Sequence, residues 1–365
     1  MFKVFNYVKT SDEAFNSLVD NSIDLARKVK DGSMSAYDAA YQEKLQALNF
    51  AIGKKITLGS AYQDAFETDG LAIFKSPNVQ NCDTIRSNFN AVIAQVVNVI
   101  IPEVTNDVYS RFISEVHQVG WGETARFQIE SNDLFKVNRK AEGVRKGVNQ
   151  PMFDDEITVD AEPIEIATAI DWYPFAAGVF DFGSWALKIG RSFAAYIFLK
   201  AIKGMTQATT DFGAAYTINA VTPDLFSQLK ERVEAANGGM KTVAIGTLSA
   251  LSNLSLTGNF QVEIGEEMNK VGYLDQYLGA PLLAIHNVLV PGTTNGSATL
   301  AINNKRIYLV PAAGQKPVKI VFEGNETTVT KDPEHAADKK YSIVVTMYVG
   351  IKTIIGPKYG TIILP

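Results

Sequence analysis

The chain has 365 residues, 46% hydrophobic and 20% charged, enough to bury a sizeable core in two or more domains or lobes. A formal net charge of −5 argues against wholesale nucleic-acid binding, and the single cysteine, Cys82, excludes an intramolecular disulfide or a cysteine-based metal site. Residues 91–101 are too short to span a bilayer and 179–202 carry Asp181, Lys188, Arg191 and Lys200. The first fifteen residues lack the apolar run of a signal peptide, so a soluble polypeptide without membrane association is expected.

The first hundred residues read as helical. Ser11, followed by Asp12 and Glu13, opens one helix that should end near Gly32. Ser35 opens a second through Ala51, stopping at Gly53. Asp83 caps a third, running through Ile93, Val96, Val97 and Ile100 to Pro102. Apolar residues nearly surround its axis, so it should pack on most sides.

An alternating arm follows, with Val119, Trp121, Ala125, Phe127 and Ile129 on one face and Thr124, Arg126, Gln128 and Glu130 on the other. Glu123 is the only break in that period of two. A return arm alternates Ile157, Val159 and Ala161, then changes phase after Pro163 to Ile164, Ile166, Ile170 and Trp172. A bulge or strand break is expected at the proline, which removes a ladder donor.

Between the arms, residues 131–156 have almost no hydrophobic periodicity, and loops that long in a compact domain are either disordered or functional. Ordering them would cost roughly 25–50 kcal/mol at about 1–2 kcal/mol per residue. The segment holds few apolar groups to offset that, so a neighbouring molecule is the expected source of order. It carries a basic cluster of Lys136, Arg139, Lys140, Arg145 and Lys146, with Asp133 and Glu142 nearby, and then the acidic run Asp154-Asp155-Glu156. Two readings stay open for these eight residues of the cluster and run: a solvated loop, or docking to complementary charge on an adjacent subunit. Phe135 is the only interleaved aromatic, which disfavours nucleic-acid stacking.

A long helix is expected over 180–205. Thr222-Pro223 should start another, closed by Asn237-Gly238-Gly239. Strands follow at 240–246, 282–290 (closed by Pro291-Gly292), 306–310 and 318–322, with short helices at 248–254 and 263–271. The last strand alternates Tyr341, Ile343, Val345, Met347, Val349 and Ile351. Strands and helices mix without a βαβ rhythm, so the class is α+β.

No motif for chemistry survives scrutiny. Gly120-Trp121-Gly122-Glu123-Thr124-Ala125 fits a relaxed GxGxxA pattern but starts a strand and does not open a helix. Gly53-Lys54-Lys55 lacks the upstream glycine of a phosphate loop, and no GxSxG occurs. His117, His286 and His335 stand far apart with no ligand spacing, and they read as surface or packing residues. Acidic pairs such as Glu266-Glu267 read as solvated faces. No enzyme, cofactor or metal site is expected.

The order and texture of these elements resemble the major capsid protein of tailed bacteriophages, the Hong Kong 97 type. The segments that carry the resemblance are GETARFQIES (122–131), EPIEIATAIDWYPFAAGVFDF (162–182), RSFAAYIFLKAI (191–202), GYLDQYLGAPLLAIHNVLV (272–290), NKRIYLVPAAGQKPVKIVFEG (304–324) and YSIVVTMYVGIKTIIGP (341–357). The resemblance covers about residues 112–365 and implies a Hong Kong 97-type fold. Its parts would be a helical N-terminal arm or subdomain (1–107), a P-domain strand (108–122), an extended E-loop hairpin (123–160), a P domain with a long spine helix (161–210), an A domain (211–332) and a return strand with the C-terminal end (333–365). It implies a structural virion protein, built in the host bacterial cytoplasm. Copies would assemble as hexamers and pentamers of an icosahedral shell around double-stranded DNA, without sequence-specific binding and with scaffold and portal partners. The rival readings are an encapsulin-like nanocompartment shell, a tail or decoration component, and an unrecognised α+β enzyme.

Overall fold

The computed structural model describes residues 13–30, 33–35, 37–105, 113–130, 135, 137, 153–256, 273–285, 287–293, 299–331, 340–356 and 358–364. Five helices come first: α1 Glu13–Lys30, α2 Ala39–Thr57, α3 Gln63–Asp69, α4 Pro77–Gln80 and α5 Asp83–Thr105. Strands β1 Ser114–Val119, β2 Ala125–Glu130, β3 Phe153–Val159 and β4 Glu162–Asp171 lead to α6 Trp172–Ala176 and α7 Phe182–Asp211. Then come β5 Thr217–Ile218, α8 Pro223–Ala236, β6 Thr242–Thr247, α9 Leu248–Leu256, β7 Gln276–Tyr277 and β8 Ala280–Ile285. The chain closes with β9 Arg306–Pro311, β10 Val318–Lys331, β11 Lys340–Thr353 and β12 Gly360–Ile363. Two compact units form: Met1–Asn106 with Glu162–Ala194 and Gly324–Tyr348, and Asp107–Ala161 with Ala195–Glu323 and Val349–Pro365.

In the first unit, α2 differs from the expected helix at both ends. Ser35 makes a turn, its hydroxyl accepting from the Tyr37 amide, and Asp38 takes the N-cap position. At the other end Gly53 does not stop the helix, which runs on to Thr57. A Cβ at Gly53 would lie 2.7 Å from both Leu71 Cδ2 and Phe66 Cε2, so this glycine permits close packing inside a helix. Helix α5 likewise passes Pro102 and ends at Thr105, three residues later. The proline forfeits one i→i−4 bond of the helix.

The core of this unit is aromatic. Trp172 stacks on Phe74 at 5.6 Å and Phe89 at 5.2 Å, with Phe175 and Tyr341 edge-on to it. Trp172 therefore begins a helix, not the end of the strand the alternation suggested, because Asp171 accepts from the Tyr173 amide and caps α6. Tyr41 donates to the Asp181 carboxylate, which also accepts from the Ser184 amide at 2.9 Å and so caps α7. Burial, with Asp181 beside it, drives the Tyr41 phenol far above its ordinary pKa. Asn49 ties α2 to the carbonyls of Gly178 and Phe180. Helix α7 is a single run of 30 residues, starting two residues later and ending six later than the periodicity placed it.

The second unit holds a six-stranded sheet of order β5-β12-β9-β6-β8-β7. Strand β12 runs antiparallel to β9 with Thr361 opposite Tyr308, and β9 antiparallel to β6 with Leu309 opposite Ala244. Phe226, Leu229 and Val233 of α8 and Leu251 and Leu254 of α9 bury against Ile307, Leu309 and Ile362. Strand β8 ends at Ile285, short of the expected run to 290. Beyond it the Asn287 side chain accepts from the Ile302 amide and donates to its carbonyl, replacing ladder bonds by side-chain bonds. Strands β9 and β10 flank the turn at Gly314 but belong to different sheets. The other large sheet has the order β1-β10-β11-β4, with β1 parallel to β10 from Ser114 opposite Val318 to Val119 opposite Glu323.

Candidate subunit-interaction site: the hairpin and its base

Strands β2 and β3 form a two-stranded antiparallel sheet of their own. Ala125 lies opposite Val159 and Phe127 opposite Ile157. The pairing then skips Asp154, passing from Ile129–Asp155 to Glu130–Phe153. That extra residue is a bulge, which bends the strand and increases its twist. One face of the ribbon is apolar: Ala125, Phe127 and Val159 are buried with Val321, and Val119 and Ile157 pack on them. The other face is polar, and Arg126 sits 3.6 Å from Glu156 with both side chains mostly in water. Such a pair contributes at most about 1 kcal/mol.

The first arm is not one continuous strand. Gly120 to Thr124 form a turn, with Gly122 at φ +77° and Trp121 58% exposed and not on the buried face. Glu123, the break in the alternation, is the turn's own acceptor and takes the Gly120 amide at 2.9 Å. Glu323 of β10 takes the Gly122 amide at 2.7 Å. The break in the return arm falls at Asp160 and Ala161, two residues before Pro163, which is the second residue of β4. At that break the chain lies directly on β11. A Cβ at Gly350 would strike the Asp160 carbonyl oxygen, with Val159 Cγ1 at 2.8 Å. Pro163 is tolerated because β4 is the edge of its sheet.

Beneath the ribbon lies a charged anchor. Lys319 of β10 is 2% exposed, bonds to the Glu115 carboxylate of β1, and places its ammonium 5.3 Å from the Phe127 ring centroid. His117 Nε2 lies 2.7 Å from the other Glu115 oxygen, and the imidazole meets Phe127 edge-on at 4.8 Å. Burial pushes the Glu115 pKa up, but hydrogen bonds from Lys319 and His117 outweigh it and hold the carboxyl below its ordinary range. Burial also lowers the pKa of Lys316, one turn of chain away. Two further bonds fix the ribbon: Gln315 Nε2 donates to the Gln128 carbonyl at 2.8 Å and Lys352 Nζ to the Thr158 carbonyl at 3.3 Å.

Of the residues singled out for docking, Lys136, Arg139, Lys140, Arg145 and Lys146 lie outside the described residues. Asp154 and Asp155 sit on the β3 backbone, the first at the bulge, and Glu156 is exposed beside Arg126. Phe135 and Val137, between the arms, are 60% and 93% exposed. The anchor escaped sequence reasoning, although VKIVF carries a signal: a lysine at a strand position that shares its face with Val321. Among the described residues no group of three or more His, Cys, Asp and Glu side chains is placed to hold a metal, and no helix is long and apolar enough to cross a membrane. His286, His335 and the helix expected at 263–271 fall outside the described residues.

A helical N-terminal region, a hairpin with its own two-stranded sheet, a 30-residue helix, a six-stranded sheet and a long returning strand make up an α+β fold. Residues 15–363 match the model of the family described as "SPbeta prophage-derived putative capsid protein YonB", and the chain belongs to that family. As a member of a capsid-protein family it is a structural protein of the virion. The nanocompartment and enzyme readings are not favoured.

Three solved structures illustrate the likeness. The virus-like particle from Pyrococcus furiosus is 12% identical with a TM-score of 0.44, over 73% of this chain and 97% of that one. The capsid of the cyanophage P-SCSP1u is 14% identical with a TM-score of 0.46, over 69% and 86%. A structure from Mycobacterium phage Ogopogo is 10% identical with a TM-score of 0.48, over 71% and 92%. A search of curated proteins finds no match.

Proposed function

We propose that the subunit forms hexamers and pentamers of an icosahedral shell around double-stranded phage DNA, with scaffold and portal proteins as assembly partners in the host cytoplasm. In this reading residues 123–160 are the E-loop and 161–210 the P domain with its spine helix. Residues 211–332 are the A domain, 333–365 the return strand and C-terminal end, 1–107 a helical N-terminal arm or subdomain, and 108–122 a P-domain strand. The observation that supports it best is the hairpin. Among the described residues its strands pair only with each other, its base is held by Gln315 ahead of β10 and Lys352 of β11, and it carries between its arms a segment rich in cations. The weakly acidic chain suits a wall that contains DNA without gripping it.

Residues 133–150 hold five basic and two acidic residues, a charge of +3, while Asp154-Asp155-Glu156 carry −3. Segments of that polarity set register and encounter rate more than affinity. Reversal of Lys136, Arg139 and Lys140 to glutamate should leave subunit melting unchanged while assembly slows or yields malformed particles by sedimentation. The wild-type assembly rate should fall with added salt, which screens beyond about 8 Å at physiological strength. Normal particles from a normally folded triple variant would mean the cluster is only solvated.

A further inference from the structure

We propose that Glu115, Lys319 and Phe127 form an acid-releasable pin that seats the hairpin of β2 and β3 on β10. The buried ammonium stays in place only while Glu115 is ionised. This goes beyond the capsid reading and would hold for the subunit whatever shell it builds.

The ammonium of Lys319 lies under the Phe127 ring, 2% exposed, and Phe127 is the central apolar residue of β2. An ammonium without water needs a counter-charge, and among the described residues the carboxylate it bonds is that of Glu115. The groups facing Glu115 are few. Its own strand supplies His117, β10 supplies Lys319, the turn before β10 supplies the charge of Lys316, and β2 supplies the uncharged Phe127. One carboxylate thus serves up to three cations. Glu323, further along β10, is engaged with the Gly122 amide instead.

Acid removes the only negative charge of this group. Lysine cannot shed its proton in acid, so the ammonium must regain water, and the route is displacement of Phe127 with its strand. The direction follows from the geometry. Hydrogen bonds from Lys319 and His117 favour the ionised carboxylate, so Glu115 resists protonation until the pH is below the ordinary glutamate range. The folded carboxyl is the stronger acid, so the pin is intact above the unfolded glutamate value and is lost as pH falls through the folded one.

The test is amide hydrogen exchange on the full chain, read as protection factors for 125–130 and 153–159 against 242–247 of the six-stranded sheet. The wild type should lose at least about tenfold in hairpin protection between neutral pH and about pH 3, with the sheet still protected. Glu115→Gln, which fixes the neutral state, should show the weakened hairpin already at neutral pH. Lys319→Met keeps the length and removes the charge, so its hairpin should stay protected at both pH values. Hairpin protection in the wild type that survives to about pH 3, or that Lys319→Met loses as the wild type does, overturns the pin. Should Glu115→Gln fail to fold, loss of sheet protection will reveal it, and the Lys319→Met comparison decides alone.

Discussion

At the residue scale, two glycines separate a close approach that can give way from one that cannot. A Cβ at Gly53 would meet the far ends of Leu71 and Phe66, flexible side chains, and alanine in a helix recovers up to about 1 kcal/mol of propensity. A Cβ at Gly350 would meet the backbone carbonyl of Asp160, which has nowhere to go without moving the base of the hairpin. Overpacking costs about 1–3 kcal/mol, so Gly350→Ala should sit at or beyond the upper end and Gly53→Ala near the lower. Denaturation midpoints at constant slope measure both. Tyr341 offers a pH test: burial pushes its phenol up to about 12, and its hydroxyl donates to the Arg86 carbonyl at 3.0 Å. A raised folded pKa means the contribution is whole below the ordinary tyrosine value of about 10 and drains away as pH climbs through about 12. Phenolate absorbance should show buried tyrosines titrating late, and Tyr341→Phe should remove one of them.

At the element scale, the two ends of α8 are held with unequal force. Thr222 accepts from the Leu225 amide at 3.3 Å at an exposed site, where water can substitute, so Thr222→Ala should cost about 1 kcal/mol. Asn237 is buried and donates to the carbonyls of Val233 at 2.7 Å and Lys358 at 2.6 Å. Asn237→Ala strands both acceptors and should cost about 2–3 kcal/mol, with thermal melting as the readout. That helix was legible in full, because Thr-Pro at one end and Asn-Gly-Gly at the other are local signals that nothing distant overrides. The end of the second helix is not legible for the opposite reason: Gly53 looks like a stop until Phe66 and Leu71 are seen against it. Trp172 continued the alternation of its strand, and only the Asp171 cap and the ring of Phe74 turn it into a helix. In the hairpin, the alternation exposed both arms and the cationic segment between them. It could not expose Glu115 and Lys319, 204 residues apart in the chain, since pairing across parallel strands leaves no mark on either strand alone.

At the scale of the whole molecule, the account rests on assembly. A shell contact of about 1,600 Å² at about 25 cal/mol per Å² represents about 40 kcal/mol of gross apolar burial before association costs. Repetition of such contacts around each subunit would make a closed particle, once formed, resistant to dilution. Electron microscopy of the purified protein, alone and with a co-expressed scaffold, is the most direct measurement. The account predicts closed shells of narrow size distribution. Only monomers or small oligomers, under every condition of salt, crowding and co-expression, would contradict it.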